Sequence, residues 1–493
     1  MTTTSALPLE LLFGTPAFFK AQISPDGMLV AYLAPWKDRL NIWVRPLTAG
    51  LADDQPRQLT SDITRNIDGF CWTPDSQNIL FVQDREGDEN WHLHRVSVSE
   101  AEHCSADLTP FSGVRVMGLE LSLDKPDKVF VQMNYRAPEL IDLYQIDIAT
   151  GALTTIAESP GRFVTWVIVP RNALHAFVID ERGDHELARF EDGIFRPVAV
   201  FKGRDYPIGP TPVRATSDGK GLILGSNTGT DRTRLVRIDL ETGVETEIDS
   251  HATFSLDTPR PEADPRFPSS LIMNTITGDL LGARYLGDRL VIHALTEEFA
   301  CVLESLKSLS GGDIGHLNCD ASGLRWIVEF TDERHPGTTW FYDHSTNEAV
   351  ILGQRCPQID PDKLASARPV TVKSRDGLDL ACHVTLPLGI EARGLPTVLL
   401  VHGGPWYRDA CVYDPEVQFL ANRGYAVLQV NFRGSTGYGK AFMQAAIGEF
   451  AGRMHDDLID GLDWLIATGI ADPDRVAIYG CSYGGYSALV GAS

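Results

Sequence analysis

The chain has 493 residues, 43% of them apolar and 22% charged, with a formal net charge of −23. That length exceeds one ordinary hydrophobic core and asks for at least two domains. The excess of acid argues against general affinity for nucleic acid or an anionic membrane surface, so a soluble, self-repelling particle is expected.

The opening stretch, "MTTTSALPLELLFGTPAFFKAQ", has no basic segment leading into an apolar core, as a secretory signal would. No apolar run reaches the ~18 residues of a membrane span. Eight cysteines are scattered without a CxxC pair, which fits reduced thiols and a cytoplasmic location. Residues 1–20 are expected to pack on the C-terminal domain.

Residues 21–358 carry a repeat. "AQISPDGMLVAYLAP" is followed by "LNIWVRPL", "CWTPDSQNILFVQD" by "NWHLHRVSV", and "LELSLDKPDKVFVQMN" by "IDLYQIDIATGALTTI". Each unit reads as strand, Asp/Gly turn, strand, loop, strand, turn, strand. Asp26, Asp75 and Asp124 recur at a spacing of 49 residues. That period suits one four-stranded propeller blade per unit. Seven units are counted, the weakest being "LIMNTITGDLLGARY" with "RLVIHAL", and no amphipathic helix is predicted among them. A blade cannot bury its faces alone, so the seven are expected to close a ring. The turn aspartates have a local structural reason, capping the turn beside a glycine at positive φ. His92 and His94 share one face of a predicted strand. Two histidines alone do not make a metal site, and no metal or organic cofactor is expected. The acidic loops "REGDENW" and "DERGDHE" are read as solvated blade loops.

Residues 359–493 have a different texture. "RPVTVKSRDGLDLACHVTLP" reads as a hairpin, "GLPTVLLVHGG" as a buried strand ending in glycines, and "PEVQFLANRG" as a helix with a glycine stop. "YAVLQVNFRGSTGYG" is a second buried strand and loop, "DDLIDGLDWLIATG" an amphipathic helix, and "RVAIYG" a third buried strand. Strands alternating with helices imply a largely parallel α/β sheet. The predicted fold is an all-β seven-bladed propeller followed by a largely parallel α/β domain.

"GCSYG" is a G-x-S-x-G sequence between an apolar strand and a helix, the setting of a nucleophile elbow. Ser482 is the candidate nucleophile. Gly480 and Gly484 flank it, where side chains would collide with neighbouring backbone. "HGGP" ends the adjacent strand, and its Gly404 (or Gly403) amide, with the Tyr483 amide, is the candidate oxyanion hole. His402 sits inside that loop and is an unsuitable base.

"HGGP", "NFRGSTGYG", "DDLIDGLDWL" and "GCSYGGY", in this order behind a propeller, resemble the prolyl oligopeptidase family of serine peptidases, and its acylaminoacyl-peptidase-like branch above all. The resemblance implies an all-β seven-bladed propeller followed by an incomplete α/β-hydrolase domain, and hydrolysis of short peptides through an acyl-enzyme on Ser482, with the propeller gating substrate size. It places Asn431, Arg433 and Tyr438 in the loop that walls the pocket, where a structural role competes with substrate contact. Short peptides are the expected partners, with no nucleic acid and no membrane, and a homo-oligomer is allowed. A paired-glutamate motif like that of the dipeptidyl branches is not evident. The family pattern puts an Asp and a His after the nucleophile, and neither follows Ser482. The expectation is therefore a C-terminally truncated chain without significant activity. Two alternatives are an esterase or amidase on small acyl groups, and a propeller interaction module with a vestigial hydrolase tail.

Overall fold

The computed structural model describes residues 6–47, 56–99, 105–122, 124–161, 164–171, 173–256 and 268–493. The first five residues of the N-terminal segment and Cys104 lie outside the described residues. Seven antiparallel sheets follow in chain order, over 19–58, 70–107, 116–157, 164–201, 213–249, 271–294 and 313–354. Each is a meander of consecutive strands and forms one propeller blade. The turn aspartates act as expected. Asp26 accepts from the Ser24 hydroxyl at 2.5 Å and from the Met28 N–H at 3.0 Å. Asp75 repeats this with Thr73 and Gln77. At Gly219 φ is +67°, and a Cβ would lie 1.9 Å from the Pro170 carbonyl oxygen of the preceding blade's hairpin.

The sixth blade departs from the four-strand expectation. It has three strands, and the helix Glu297–Lys307 follows them. Thr296 caps that helix by accepting from the Phe299 N–H. Phe299, Val302, Leu303 and Leu306 recur at helical spacing and pack with Ile272, Ile314 and Trp326 of the sixth and seventh blades. The segment has a helical apolar period, hidden in the sequence by the strand-rich repeat around it.

Among the described residues no sheet is shared between the first and seventh blades; the Ala321 N–H donates to the Pro25 carbonyl at 2.9 Å, and side chains supply the rest of the closure. The Ile23 N–H donates to Asn318 Oδ1 at 2.9 Å, Asn318 Nδ2 donates to the Ala21 carbonyl at 3.0 Å, and Arg325 reaches the Gly27 carbonyl at 3.0 Å. Phe18, Tyr32, Ile327 and Phe341 bury the seam.

The C-terminal sheet runs, across the sheet, Ala367–Lys373, Asp379–Thr385, Ala426–Asn431, Leu395–Val401 and Ala471–Gly480. The first two pairings are antiparallel and the last two parallel. The helix Arg453–Ala467 lays Met454, Leu458 and Leu465 against Leu428, Val430 and Leu399. Ala471–Gly480 is half exposed rather than buried as predicted, because it is the edge strand and pairs on one side only among the described residues. Leu7 and Leu12 of the N-terminal segment pack with Ile359, Leu364 and Tyr413, and the Leu7 N–H donates to Asn422 at 2.7 Å.

The two domains meet through one face of the ring. Lys440 N–H donates to the Asp231 carbonyl at 2.7 Å, Gln444 reaches Asp205 at 2.5 Å, and Gln418 reaches the Glu333 carbonyl at 3.1 Å. Asp231 and Glu333 lie between the second and third strands of their blades, and Asp205 lies in a link between blades. In a meander those connections share one face, and the hairpins after the first strands share the other. Among the described residues no helix is long and apolar enough to cross a membrane.

Candidate active site

The strands Leu395–Val401 and Ala471–Gly480 run parallel, with Val401 opposite Gly480. Their following loops therefore leave the same edge of the sheet, which brings His402 to Pro405 beside Ser482. The backbone of Ser482 has φ +56° and ψ −117°. For a serine this is a strained conformation, costing about 1–3 kcal/mol. The glycines around it explain how the turn is held. A Cβ at Gly480 would lie 2.3 Å from the Val401 carbonyl oxygen and 2.8 Å from Gly484 Cα. A Cβ at Gly484 would lie 2.1 Å from the same oxygen. The turn is thus pressed against the neighbouring strand's end, at a distance only hydrogen-sized substituents allow.

Ser482 is exposed, and among the described residues its hydroxyl has no hydrogen-bond partner. Gly403 lies against it: a Cβ there would be 3.4 Å from Ser482 Cβ and 4.0 Å from Oγ. Gly404 follows at φ +115°. Tyr483 opens the helix Tyr483–Gly491, so its N–H has no acceptor within the helix. Its ring is buried against Phe432 and Phe450, and its hydroxyl donates to the Phe450 carbonyl at 2.9 Å. Burial raises that phenol above its ordinary pKa.

His402 is close in sequence to the glycines but is committed elsewhere. Its ring stacks on Phe432 at 4.4 Å between centroids. Nδ1 lies 2.8 Å from the Gly403 carbonyl and Nε2 lies 2.9 Å from the Ser435 hydroxyl. In the neutral ring Nδ1–H donates and Nε2 accepts. Burial pushes its pKa down to about 4, so the ring is neutral at physiological pH and both nitrogens are occupied.

The three loop residues proposed as pocket wall divide between two networks. Asn431 is fully buried; its amide donates to the Tyr438 hydroxyl at 3.0 Å and to the Asp409 carbonyl at 3.2 Å. Tyr438 also accepts from Arg408 at 2.9 Å, with the guanidinium 4.5 Å from its ring centroid. Burial raises the Tyr438 phenol to about 12. Arg408, itself buried, reaches across to the Leu286 carbonyl of the sixth blade at 2.9 Å. Arg232 of the fifth blade donates to the Tyr438 carbonyl. Tyr438 and Asn431 therefore belong to the domain junction beside the site. Arg433 turns the other way. Its guanidinium binds Asp457 at 2.7 and 2.8 Å and Asp376 at 2.9 and 3.0 Å.

Arg408, Ser435 and Asp457 were not singled out by sequence. Asp457 left a signal: it falls with Met454, Leu458, Gly461 and Leu465 on the buried stripe of its helix, where a carboxylate needs a partner. Arg408 and Ser435 left none, because their partners are distant in the chain. The acidic loop 85–91 is largely exposed and the loop 180–186 is exposed over 180–182 and half-buried beyond; both leave second strands, so they lie on the hydrolase-facing side of the ring. Among the described residues no group of three His, Cys, Asp or Glu side chains gathers as a metal set.

A strained serine turn at the C-terminal edge of a parallel sheet, set under a seven-bladed ring, defines a propeller-bearing α/β-hydrolase. Residues 412–492 match the prolyl oligopeptidase family. Dipeptidyl aminopeptidase BIII of Pseudoxanthomonas mexicana is 33% identical over 99% of this chain and 70% of that protein. Acylamino-acid-releasing enzyme 2 of Oryza sativa subsp. japonica is 36% identical over 30% of this chain and 20% of that enzyme. A puromycin-hydrolyzing peptidase of Mycobacterium tuberculosis, 19% identical, superposes with a TM-score of 0.73 over 99% of this chain and 78% of that one, a likeness of fold. The chain belongs to the prolyl oligopeptidase family of serine peptidases.

Proposed function

We propose that this chain carries the nucleophile and oxyanion hole of a peptidase that releases dipeptides from the free amino end of short peptides. The observation that carries the nucleophile is the exposed Ser482 at φ +56°, with Gly403 and the helix-opening Tyr483 N–H on either side of it. Ser482 Oγ attacks the scissile carbonyl. The carbonyl oxygen becomes an oxyanion, which accepts from the Tyr483 and Gly404 amides as preorganised donors. The C–N bond breaks and the amine leaves with the proton lost from Ser482 Oγ; water then adds to the acyl carbonyl, breaks the ester bond and restores the Ser482 hydroxyl. Dipeptide release is favoured over acylamino-acid release by the extent of the two likenesses, since the dipeptidyl relative matches over the propeller as well as the hydrolase domain. The exposed carboxylates Glu86 and Glu89 on the hydrolase-facing side suit a substrate ammonium.

The attack needs a base, and His402 cannot serve because Ser435 and Gly403 hold both its nitrogens. The 493-residue chain by itself is therefore proposed to bind substrate without turning it over. The test has two arms. A dipeptide boronic acid, which forms a tetrahedral adduct with a serine hydroxyl, should bind at least tenfold tighter with a free amine than N-acetylated. Tighter binding of the acetylated form overturns dipeptide release, and binding unchanged in Ser482→Ala overturns the nucleophile. In the second arm, dipeptidyl and acetyl-aminoacyl nitroanilides should give no turnover above the Ser482→Ala background. Turnover that Ser482→Ala abolishes would show that a base is available.

A further inference from the structure

A cavity of about 370 Å³ lies in the central channel of the ring, within the ~300–1,000 Å³ range of small-ligand pockets. It runs from Ser269 and Arg284, on the hydrolase-facing half, to the hairpins at Pro25, Pro74 and Thr275 on the opposite face. The chain has 66 Asp and Glu residues, yet none of those among the described residues lines this cavity. Its polar lining is instead Arg214, Arg284, His316, Asn318, Gln22 and serines.

Arg284 is the unusual member. It is 2% exposed, on the second strand of the sixth blade. One Nη donates to the Ser269 carbonyl, and the other to the Gly315 carbonyl of the seventh blade at 2.9 Å. Its Nε–H is buried with no acceptor, and no carboxylate is paired with it among the described residues. Two of five N–H groups are used. A buried charge is ordinarily paired, since desolvation costs more than hydrogen bonds to neutral carbonyls return. Here burial alone pulls the guanidinium pKa down to about 10, which still leaves it charged at neutral pH. A staple between two blades would need only a neutral donor, so the charge itself calls for an anion.

The other groups around the cavity fit the same ligand. Burial and the neighbouring Arg284 hold the His316 imidazole neutral, down to about 4. Its Nε2 faces the Asn318 amide at 3.0 Å. Arg214 is exposed to the channel, and its acidic neighbour is Glu120. Glu120 touches solvent but is crowded by protein, which raises its carboxyl to about 7, so it offsets the Arg214 charge only in part. Trp72, Leu271, Ile272 and Leu317 supply apolar walls.

We infer that this channel cavity is a binding site for the carboxylate end of a short peptide, with Arg284 and Arg214 taking the carboxylate and the apolar walls taking the side chains. The site is separate from Ser482 and does not depend on its chemistry. An arginine meets a carboxylate with two parallel N–H donors, a geometry that an amide terminus cannot reproduce.

The experiment is titration calorimetry of the full chain with an N-acetylated apolar tripeptide as its free acid, as its C-terminal amide, and with inorganic phosphate alone. The titrations are run with and without the dipeptide boronic acid, so that binding at Ser482 is read separately. The free acid should bind saturably in both conditions, at least tenfold tighter than the amide. Arg214→Gln, at an exposed position, should weaken the acid about tenfold and leave the amide unchanged. Arg284→Met should abolish the preference for the acid; should that variant misfold, Arg214→Gln and the acid–amide ratio still decide. Phosphate binding as tightly as the tripeptide acid would overturn the peptide assignment in favour of a small-anion site. Equal binding of acid and amide, or binding lost when the boronic acid is present, would overturn the proposal entirely.

Discussion

Replacing Arg433 with methionine tests how the loop behind the candidate site is held. Asp457 is fully buried and Arg433 is 3% exposed. Asp457 receives three N–H donors, all from Arg433: Nη2 at 2.7 Å, Nε at 2.8 Å and the backbone amide at 2.9 Å. Burial opposes ionisation of Asp457, while the two carboxylates raise the Arg433 pKa further. The ionised pair is the state the geometry supports, because the short bidentate contact needs a carboxylate acceptor. Arg433→Met keeps much of the stem's bulk but leaves Asp457 with the amide alone. Removing one partner of a buried pair costs about 3–5 kcal/mol. With a urea dependence of roughly 2 kcal/mol per molar, the midpoint should fall by about 1.5–2.5 M. The assay is urea unfolding of the hydrolase domain, followed by hydrogen exchange of the helix Arg453–Ala467, so that the propeller's transition is not mixed with it. The double variant Arg433→Met/Asp457→Leu should recover most of the loss, since it leaves no buried charge. A single-variant loss under about 1 kcal/mol, or a double variant as costly as the two singles added, would refute the buried-pair account.

Three further outcomes are expected. Gly484→Ala should destabilise the chain by about 1–3 kcal/mol through its overlap with the Val401 carbonyl. Gly485→Ala, whose Cβ would meet nothing closer than 3.4 Å, should lie within about 0.5 kcal/mol of the parent when both variants are compared by urea unfolding. Arg408→Met removes a charged hydrogen bond to the Leu286 carbonyl and another to Tyr438. It should speed amide exchange around residues 286–290 and 436–439 at least tenfold, with exchange in the third blade unchanged. His402 has a folded pKa of about 4, below the ordinary 6.5, so the unfolded chain takes up its proton first as pH falls. Its contribution is complete above pH 6.5 and is lost between there and about 4. The loss is about 3 kcal/mol, and His402→Gln should flatten the pH dependence of stability over that window.

The helix Glu297–Lys307 and the loop 84–91 mark the limits of reading blades from a repeat. The Asp/Gly hairpins announce themselves because their hydrogen bonds run between residues two apart, as from Ser24 and Met28 to Asp26. The same repeat hid the helix, whose apolar face finds its partners in Trp326 and Ile314 on the next blade. The acidic loops read as solvated from composition; 85–91 is largely exposed, and 180–186 is exposed over 180–182. That they stand on the hydrolase-facing side follows only from which end of each meander meets the second domain.

The local chemistry of Ser482 was legible because it is local. A strand, a G-x-S-x-G turn and a helix constrain each other within a dozen residues, and the glycines are required where that turn closes against the Val401 carbonyl. The loop 431–439 was legible as a feature but not as a set of roles. Tyr438 accepts from both Arg408 and Asn431, and Arg433 reaches Asp376, 57 residues earlier. Those choices depend on how side chains far apart in the chain share buried space. The sequence by itself determined the elements, the repeat and the candidate nucleophile, through periodicity and turn chemistry. Only the tertiary structure decided which polar groups are buried together, that His402 is occupied, and that Arg284 stands in the channel with no carboxylate partner among the described residues. Burial turns a neutral choice of partner into one worth several kcal/mol, and burial exists only once the chain has folded.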